Sequence, residues 1–246
     1  MPPTAADAWR GYKHESFALL APSEGDQVLD VGCGTGADAR ALANLGPGVS
    51  VIGLDANAAR IAEAQAATLG LARPIEFRVG DAHRLPFEDG AFDACRADKV
   101  LHHVADPAKV LAEMARVTRP GGRVAVSDAD YETLVVAAPD RALTRRILNH
   151  FADGLPHGWI GRGLPGLFRD VGLQAPAVHP YVAVVTEYDD DVLRLRDKAE
   201  AAVPPGEAAA WLASLAALDR AGRFFCALTL LTVVGRKPLQ PGAETG

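Results

Sequence analysis

The sequence predicts an α/β fold built on a doubly wound, mostly parallel sheet, and three observations predict it. Short apolar, β-branched runs alternate with helix-patterned segments through the first half of the chain. The connections between them are short, so each helix has to return the chain to a strand parallel to the last. The first strand-like run empties directly into Gly32, Gly34 and Gly36, an arrangement that lets backbone approach a polar ligand where a Cβ would block it. At 246 residues, 49% hydrophobic and 23% charged, the chain has the size and composition of one well-cored domain.

Taken in order, residues 27–31 form the first strand, and an alanine-rich helix over 37–45 stops at Gly46-Pro47-Gly48. Residues 49–54 form a second strand ending in Asp55, and Asn57 is placed to cap the next helix. A third strand over 75–79 ends in Gly80-Asp81, and a fourth covers 92–97. A helix over 106–117 halts before a turn at Pro120-Gly121-Gly122, which leads into a fifth strand over 123–127. The rhythm then changes. Residues 139–151 place Leu143, Ile147 and Phe151 at i, i+4 and i+8 of an amphipathic helix, and 164–171 form a shorter one. Residues 178–186 and 224–234 pattern as strands, with helices between 189 and 218. The expected organisation is one domain over 1–237, with an N-terminal lid helix at about 5–20 and a cap insertion at about 129–163. Residues 238–246 read as a flexible tail.

A net charge of −6, with no basic run longer than Arg145-Arg146, argues against a nucleic-acid partner. Cys33, Cys95 and Cys226 are odd in number and show no C-x-x-C spacing, which fits buried thiols in a reducing cytoplasm. No basic segment followed by an apolar core opens the chain, and its longest apolar run is too short to cross a bilayer. A cytoplasmic protein with no membrane partner, monomeric or homodimeric, is expected.

The loop Asp30-Val31-Gly32-Cys33-Gly34-Thr35-Gly36, followed by Ala37, also satisfies the dinucleotide pattern G-x-G-x-x-A. An NAD-dependent oxidoreductase therefore stays open at that point. The carboxylate before the first glycine, and a glycine at every second position, resemble motif I of the class I S-adenosylmethionine (SAM) methyltransferases. Further stations are similar. Asp55 lies about twenty residues beyond the loop, as an acid for ribose hydroxyls does. Gly80-Asp81-Ala82 with Leu85-Pro86-Phe87 resembles the family's G-D-A-x-x-L-P-F, and Arg119-Pro120-Gly121-Gly122 its R-P-G-G. Val100-Leu101-His102-His103-Val104 resembles a segment of the type-11 branch, which includes quinone methyltransferases. The resemblance covers about residues 25 to 130. It departs at Arg96-Ala97-Asp98-Lys99, where asparagine or serine is common, and the N-P-P-Y tetrapeptide of many base methylators is absent.

The resemblance implies a Rossmann-like sheet of seven strands with a C-terminal antiparallel pair and a small helical cap. It implies methyl transfer from SAM to a small organic acceptor, at O, N or C, in secondary or quinone-type metabolism, leaving S-adenosylhomocysteine. Tyr12, Asp30 and the backbone of Gly32, Cys33 and Gly34 would meet the methionine end, with Lys99 also on the cofactor side. Asp55 would hold the ribose; Ala56, Gly80, Asp81 and Ala82 would surround the adenine. Transfer to a protonated acceptor needs a base, and His103, Asp128 and His150 are the candidates. Trp9, His103, Tyr131, His157, Trp159 and Arg162 are candidates to line the acceptor site. Asp98, His103 and Asp128 have no metal-ligand spacing, and no metal is expected. Two other readings remain: a SAM-binding protein of this fold that does not methylate, and the NAD-dependent oxidoreductase. Asp81 and the late strand pair count against the second.

Overall fold

A computed structural model describes residues 5–69 and 75–239. Its elements run α1 (Ala5–Leu20), β1 (Gln27–Val31), α2 (Ala37–Ala43), β2 (Ser50–Asp55), α3 (Ala58–Ala66), β3 (Glu76–Val79), β4 (Phe92–Asp98), α4 (Pro107–Val117) and β5 (Thr118–Val136). The second half adds α5 (Arg141–Asp153), α6 (Ile160–Asp170), β6 (Gln174–Val185), α7 (Asp190–Leu193), α8 (Leu195–Ala202), α9 (Pro205–Arg220) and β7 (Cys226–Arg236). The seven strands lie in the order β3-β2-β1-β4-β5-β7-β6. The first five pair in parallel, and β7 runs antiparallel between β5 and β6. Strand order reverses between β1 and β4, which places the ligand crevice beyond their carboxyl ends.

Period-two alternation sends neighbouring residues of one strand into different cores. Val28 joins Phe17, Leu42, Ile61 and Phe77 beneath α1, α2 and α3. Leu29 and Val31 join Leu111, Met114, Leu164 and Phe168 beneath α4 and α6. A third cluster, with Ile147, Leu195, Trp211 and Leu230, packs α5, α8 and α9 over the antiparallel strands. Helix starts follow the capping residues: Asn57 accepts from the N–H groups of Ala59 and Arg60, Asp106 from Lys109, and Asp140 from Leu143.

Two expectations are corrected. The Arg119-Pro120-Gly121-Gly122 stretch is not a turn between helix and strand but the irregular start of β5, with Gly121 at φ 76° and a register shift against β4. β5 also runs well past residue 127, because Ser127 to Asp130 and then Val135 and Val136 keep pairing with β7. The part of the expected tail beyond residue 239 lies outside the described residues. Among the described residues no helix is long and apolar enough to cross a membrane.

Candidate active site

The glycine loop is shaped by contacts on both sides. Gly32 has φ 70°, and a Cβ there would stand 2.3 Å from Val100 Cγ2, so both backbone and space require glycine. The N–H groups of Gly32 and Cys33 donate to the Leu54 carbonyl at 2.7 and 3.0 Å, tying the loop to the end of β2. The Gly34 N–H donates to Asp55 Oδ2 at 2.9 Å, while Asp55 Oδ1 accepts from Asn57 N–H at 2.8 Å. Asp55 thus orients the loop and the start of α3 and keeps a lone pair on each oxygen for a ligand. Beyond it opens a hollow of ≈ 270 Å³ bordered by Gly32, Asp55, Ala56, Gly80, Asp81, Ala82 and Lys99.

Beneath this hollow the register sets Asp30 of β1 beside Arg96 of β4. Arg96 is 1% exposed and reaches Asp30 at 3.1 Å, Asp38 at 3.0 Å and Asp98 at 3.5 Å, with its guanidinium over the Phe17 ring. Helix α1 closes on the same cluster: the Tyr12 hydroxyl donates to Asp98 at 3.0 Å, and Lys13 pairs with Asp38 at 2.8 Å. Burial, only partly opposed by Arg96, pushes the Asp30 carboxyl up to about 7. Asp38 is held below the usual carboxylate range, because Arg96 and Lys13 together outweigh its burial. Asp30 Oδ2 and Arg96 Nε are buried with no hydrogen-bond partner among the described residues.

On the other face of the sheet, Asp128 of β5 is 0% exposed and carries three bonds. Its Oδ1 accepts from Ala129 N–H at 2.8 Å and lies 2.7 Å from His102 Nδ1; its Oδ2 accepts from His102 N–H at 3.2 Å. A carboxylate so placed accepts only, so Nδ1 carries a proton, and in the neutral imidazole that leaves Nε2 as an acceptor. The Tyr131 hydroxyl stands 3.4 Å from that nitrogen. Tyr131 also faces two further hollows. One of ≈ 290 Å³ is largely apolar and runs from Lys99 to Leu134, Leu195 and Leu228. The other, of ≈ 360 Å³, has His103, His150 and Lys198 on its walls. Lys99 is shared by the glycine-loop hollow and the apolar one, and His103 by the glycine-loop hollow and the third. Lys99 has φ 54°, a left-handed conformation costly for a side chain with a Cβ, and its N–H donates to the Ser127 carbonyl at 2.8 Å. Backbone strain is thus stored where the hollows meet.

A family model described as a methyltransferase domain matches residues 29–126. A 37.1 kDa protein in transposon TN4556 of Streptomyces fradiae is 41% identical over 236 residues, covering 94% of this chain and 68% of that protein. Residues 29–126 of this chain are a SAM-dependent methyltransferase domain of the type-11 branch. The methyltransferase GfsG of Streptomyces halstedii is 35% identical over 153 residues, 59% of this chain and 55% of GfsG. The chain thus spans little more than half the length of that named relative. Among solved structures, YcgJ of Bacillus subtilis shares the fold at TM-score 0.63 and 22% identity, covering 92% of this chain and 99% of that one. So does the [4+2]-cyclase SpnF, at TM-score 0.60 and 20% identity, covering 94% and 83%.

The residues of this methyltransferase fit its cofactor, SAM. Asp55 retains acceptor capacity for two ribose hydroxyls, Ala56 and Ala82 leave room for a flat base, and Asp30 Oδ2 is an unpartnered acceptor beneath the glycine loop. Of the eleven residues expected on the cofactor, Gly32, Asp55, Ala56, Gly80, Asp81, Ala82 and Lys99 border the glycine-loop hollow. Tyr12 and Asp30 sit in the charge cluster beneath it, and Gly34 offers its N–H to Asp55. The Cys33 side chain turns into the core, where burial pushes the thiol up to about 12, so only its backbone faces the loop.

Sequence reasoning missed His83. Its N–H donates to Asp81 Oδ1 at 2.9 Å and its Nδ1 lies 2.7 Å from the same oxygen, while Nε2 accepts from Asp106 N–H at 3.2 Å. The backbone N–H first, and then the imidazole, hold Asp81 below the usual carboxylate range. His83→Ala frees a carboxylate that is otherwise 68% exposed at its side chain. We expect about tenfold weaker SAM binding by calorimetry, the size of one lost charge-assisted hydrogen bond, with kcat at saturation retained. An unchanged dissociation constant would show that Asp81 needs no such support.

The acceptor candidates divide. Tyr131 and His103 do face the hollows, as does His150, expected as a base. Arg162 is taken up by Asp130 and Glu132 and lies over the 53%-exposed Trp159, forming an outer-surface cluster. His157 borders none of these three hollows; its N–H donates to the His102 carbonyl. Trp9 belongs to α1, and its side chain lies outside the described residues.

Proposed function

We propose that this methyltransferase moves the methyl group of SAM onto an ionisable oxygen of a small, largely apolar acceptor, with the His102–Asp128 pair as proton sink. The observation that carries this reading is the buried 2.7 Å contact between His102 Nδ1 and Asp128, which leaves Nε2 as an acceptor facing Tyr131. Bound SAM supplies a methyl on a positively charged sulfur, and transfer leaves S-adenosylhomocysteine. Alignment of the attacking atom supplies much of the rate in such a displacement. The walls shared at Lys99, His103 and Tyr131 support a reacting atom at that junction, with the acceptor's body in the apolar hollow. An acceptor hydroxyl gives its proton to the Tyr131 oxygen as the Tyr131 proton passes to His102 Nε2; the resulting imidazolium is balanced by Asp128. Burial, then the charge of Asp128, pushes the Tyr131 phenol up, so it passes a proton on without itself standing ionised.

His103 was the histidine expected in this role. It is exposed and its imidazole is pushed toward the neutral form by partial burial and by His102, whose ring centroid is 3.8 Å away. It forms a wall of the junction instead. Cytoplasmic residence, a small-molecule acceptor of secondary metabolism and a monomeric or dimeric state complete the reading. The test is incubation with SAM and a panel of phenols, enols and aliphatic alcohols, scoring S-adenosylhomocysteine and methylated product together. Product from hydroxyl acceptors supports the reading. Consumption of a substrate without S-adenosylhomocysteine would place the chain with non-methylating proteins of this fold, and N- or C-methyl product would overturn the oxygen acceptor.

A further inference from the structure

The chain carries 25 Lys and Arg against 31 Asp and Glu, yet the ≈ 290 Å³ apolar hollow is bordered by two lysines, Lys99 and Lys198, and by no carboxylate. Lys198 rises from α8 at the wall shared with the neighbouring hollow. Its Nζ donates to the carbonyls of Leu193 at 2.8 Å and Arg194 at 3.2 Å and lies 4.3 Å from the centre of the Phe151 ring. Those carbonyls face it because Arg194, at φ 50°, turns the chain sharply between α7 and α8. Two of three ammonium protons are thereby used, and the charge itself is not neutralised. Asp197 is taken by Arg194 at 2.8 Å, Asp190 by Tyr188 and Arg196, and Lys198 has no ion pair among the described residues. Burial first, then the charge of Arg194, pulls the Lys198 ammonium down from its ordinary range. Asp197, on the neighbouring hollow, and Asp190 act on this half-buried cation without pairing with it, and an anion on the apolar side gains a direct charge-assisted bond that neither supplies.

We propose that the acceptor is an apolar organic acid, bound as its monoanion, with its body in the apolar hollow and its charge against Lys198. The proposal rests on the reading of this hollow as the acceptor site. It narrows the substrate class from small organic molecules to those pairing an apolar ring or chain with one carboxylate or comparably acidic enol. The anionic group is a handle; the atom that receives the methyl lies at the junction of Lys99, His103 and Tyr131. Neutral acceptors forgo the charge-assisted bond, and dianions overload one ammonium.

The test is calorimetric titration of the protein, saturated with S-adenosylhomocysteine, with 2-naphthoate and with its neutral isostere 2-naphthamide. Naphthoate is expected to bind about tenfold or more tightly than naphthamide, as a charge-assisted contact to a partly buried ammonium requires. Lys198→Gln keeps a donor for the Leu193 and Arg194 carbonyls without the charge and should abolish that preference; Lys198→Arg should keep most of it. Melting temperatures of both variants report whether α8 stays docked. Equal affinities in the unaltered protein, a preference that survives Lys198→Gln in folded protein, or binding of neither probe while S-adenosylhomocysteine binds would overturn the proposal alone. Failure of S-adenosylhomocysteine to bind would overturn the reading of the cofactor cleft, and this one with it.

Discussion

Asp128→Asn is expected to lower kcat by about 10²–10⁴-fold, the range that general-base assistance supplies, while the affinity for SAM stays unchanged. The substitution preserves shape and replaces an acceptor by a group that is half donor. In the unaltered protein Asp128 Oδ1 and Oδ2 together receive the His102 Nδ1–H and two backbone N–H groups. An asparagine has one oxygen for donors that approach both positions: with that oxygen toward the His102 N–H, its NH₂ replaces Oδ1 and turns toward Nδ1 at the cost of the Ala129 bond. The imidazole then takes the opposite tautomer, with its proton on Nε2, and it can no longer accept from Tyr131. His102→Gln should match that loss, and the double variant should be no slower than the slower single one, because the two residues act as a unit. Asp55, proposed to hold the ribose, borders the glycine-loop hollow and the pair does not, so calorimetry separates loss of chemistry from loss of fold. Near-normal kcat in Asp128→Asn, together with a large loss in His103→Gln, would return the role to the exposed histidine.

The distinction between these histidines marks the limit of what the sequence made legible. Residues whose function depends on a local segment were readable: the glycine loop, Asp55 at a strand end and Asp81 after the next strand all border the expected hollow. The choice between His102 and His103 depends on residues 101–105 forming a run of turns and bends, and on a partner that arrives from β5. Neither is encoded in the spacing of the pair. Arg96 stood out only as a departure from the family pattern; its three carboxylate partners become visible once β1 and β4 are paired in register and α1 and α2 are laid over them. Lys198 is about a hundred residues from Lys99 along the chain, and only the fold of α8 across the antiparallel strands brings both to one hollow. The extension of β5 was hidden because Tyr131 to Val136 mixes polar and apolar residues, and pairing with β7 overrides that weak pattern.

Arg96→Met is expected to cost about 3–5 kcal/mol of stability near neutral pH, the range for removing one partner of a buried ion pair. The loss should depend on pH in a direction that Asp30 fixes. Its folded-state carboxyl is already raised to about 7 by burial, against an ordinary value of about 4 in the unfolded chain. Between those values the folded protein holds a proton that the unfolded chain has released. Stability therefore falls as pH rises through that window, and the cost is complete above it. Without Arg96 the attraction that limits the shift disappears, so the carboxyl rises further and the fall continues beyond neutrality. Each pH unit over which folded Asp30 keeps its proton costs up to about 1.4 kcal/mol relative to the unfolded chain. Asp38 works in the opposite sense, but its lowered carboxyl adds its pH dependence only in more acidic solution. Urea unfolding at about pH 5.5 and about pH 8 should then give a larger deficit for Arg96→Met at the higher pH, with the added Asp30→Asn change flattening the difference. An equal deficit at both would mean that Asp30 keeps one protonation state across that range, and no deficit at either would mean that the cluster is held by Lys13 and Tyr12 on α1 rather than by Arg96.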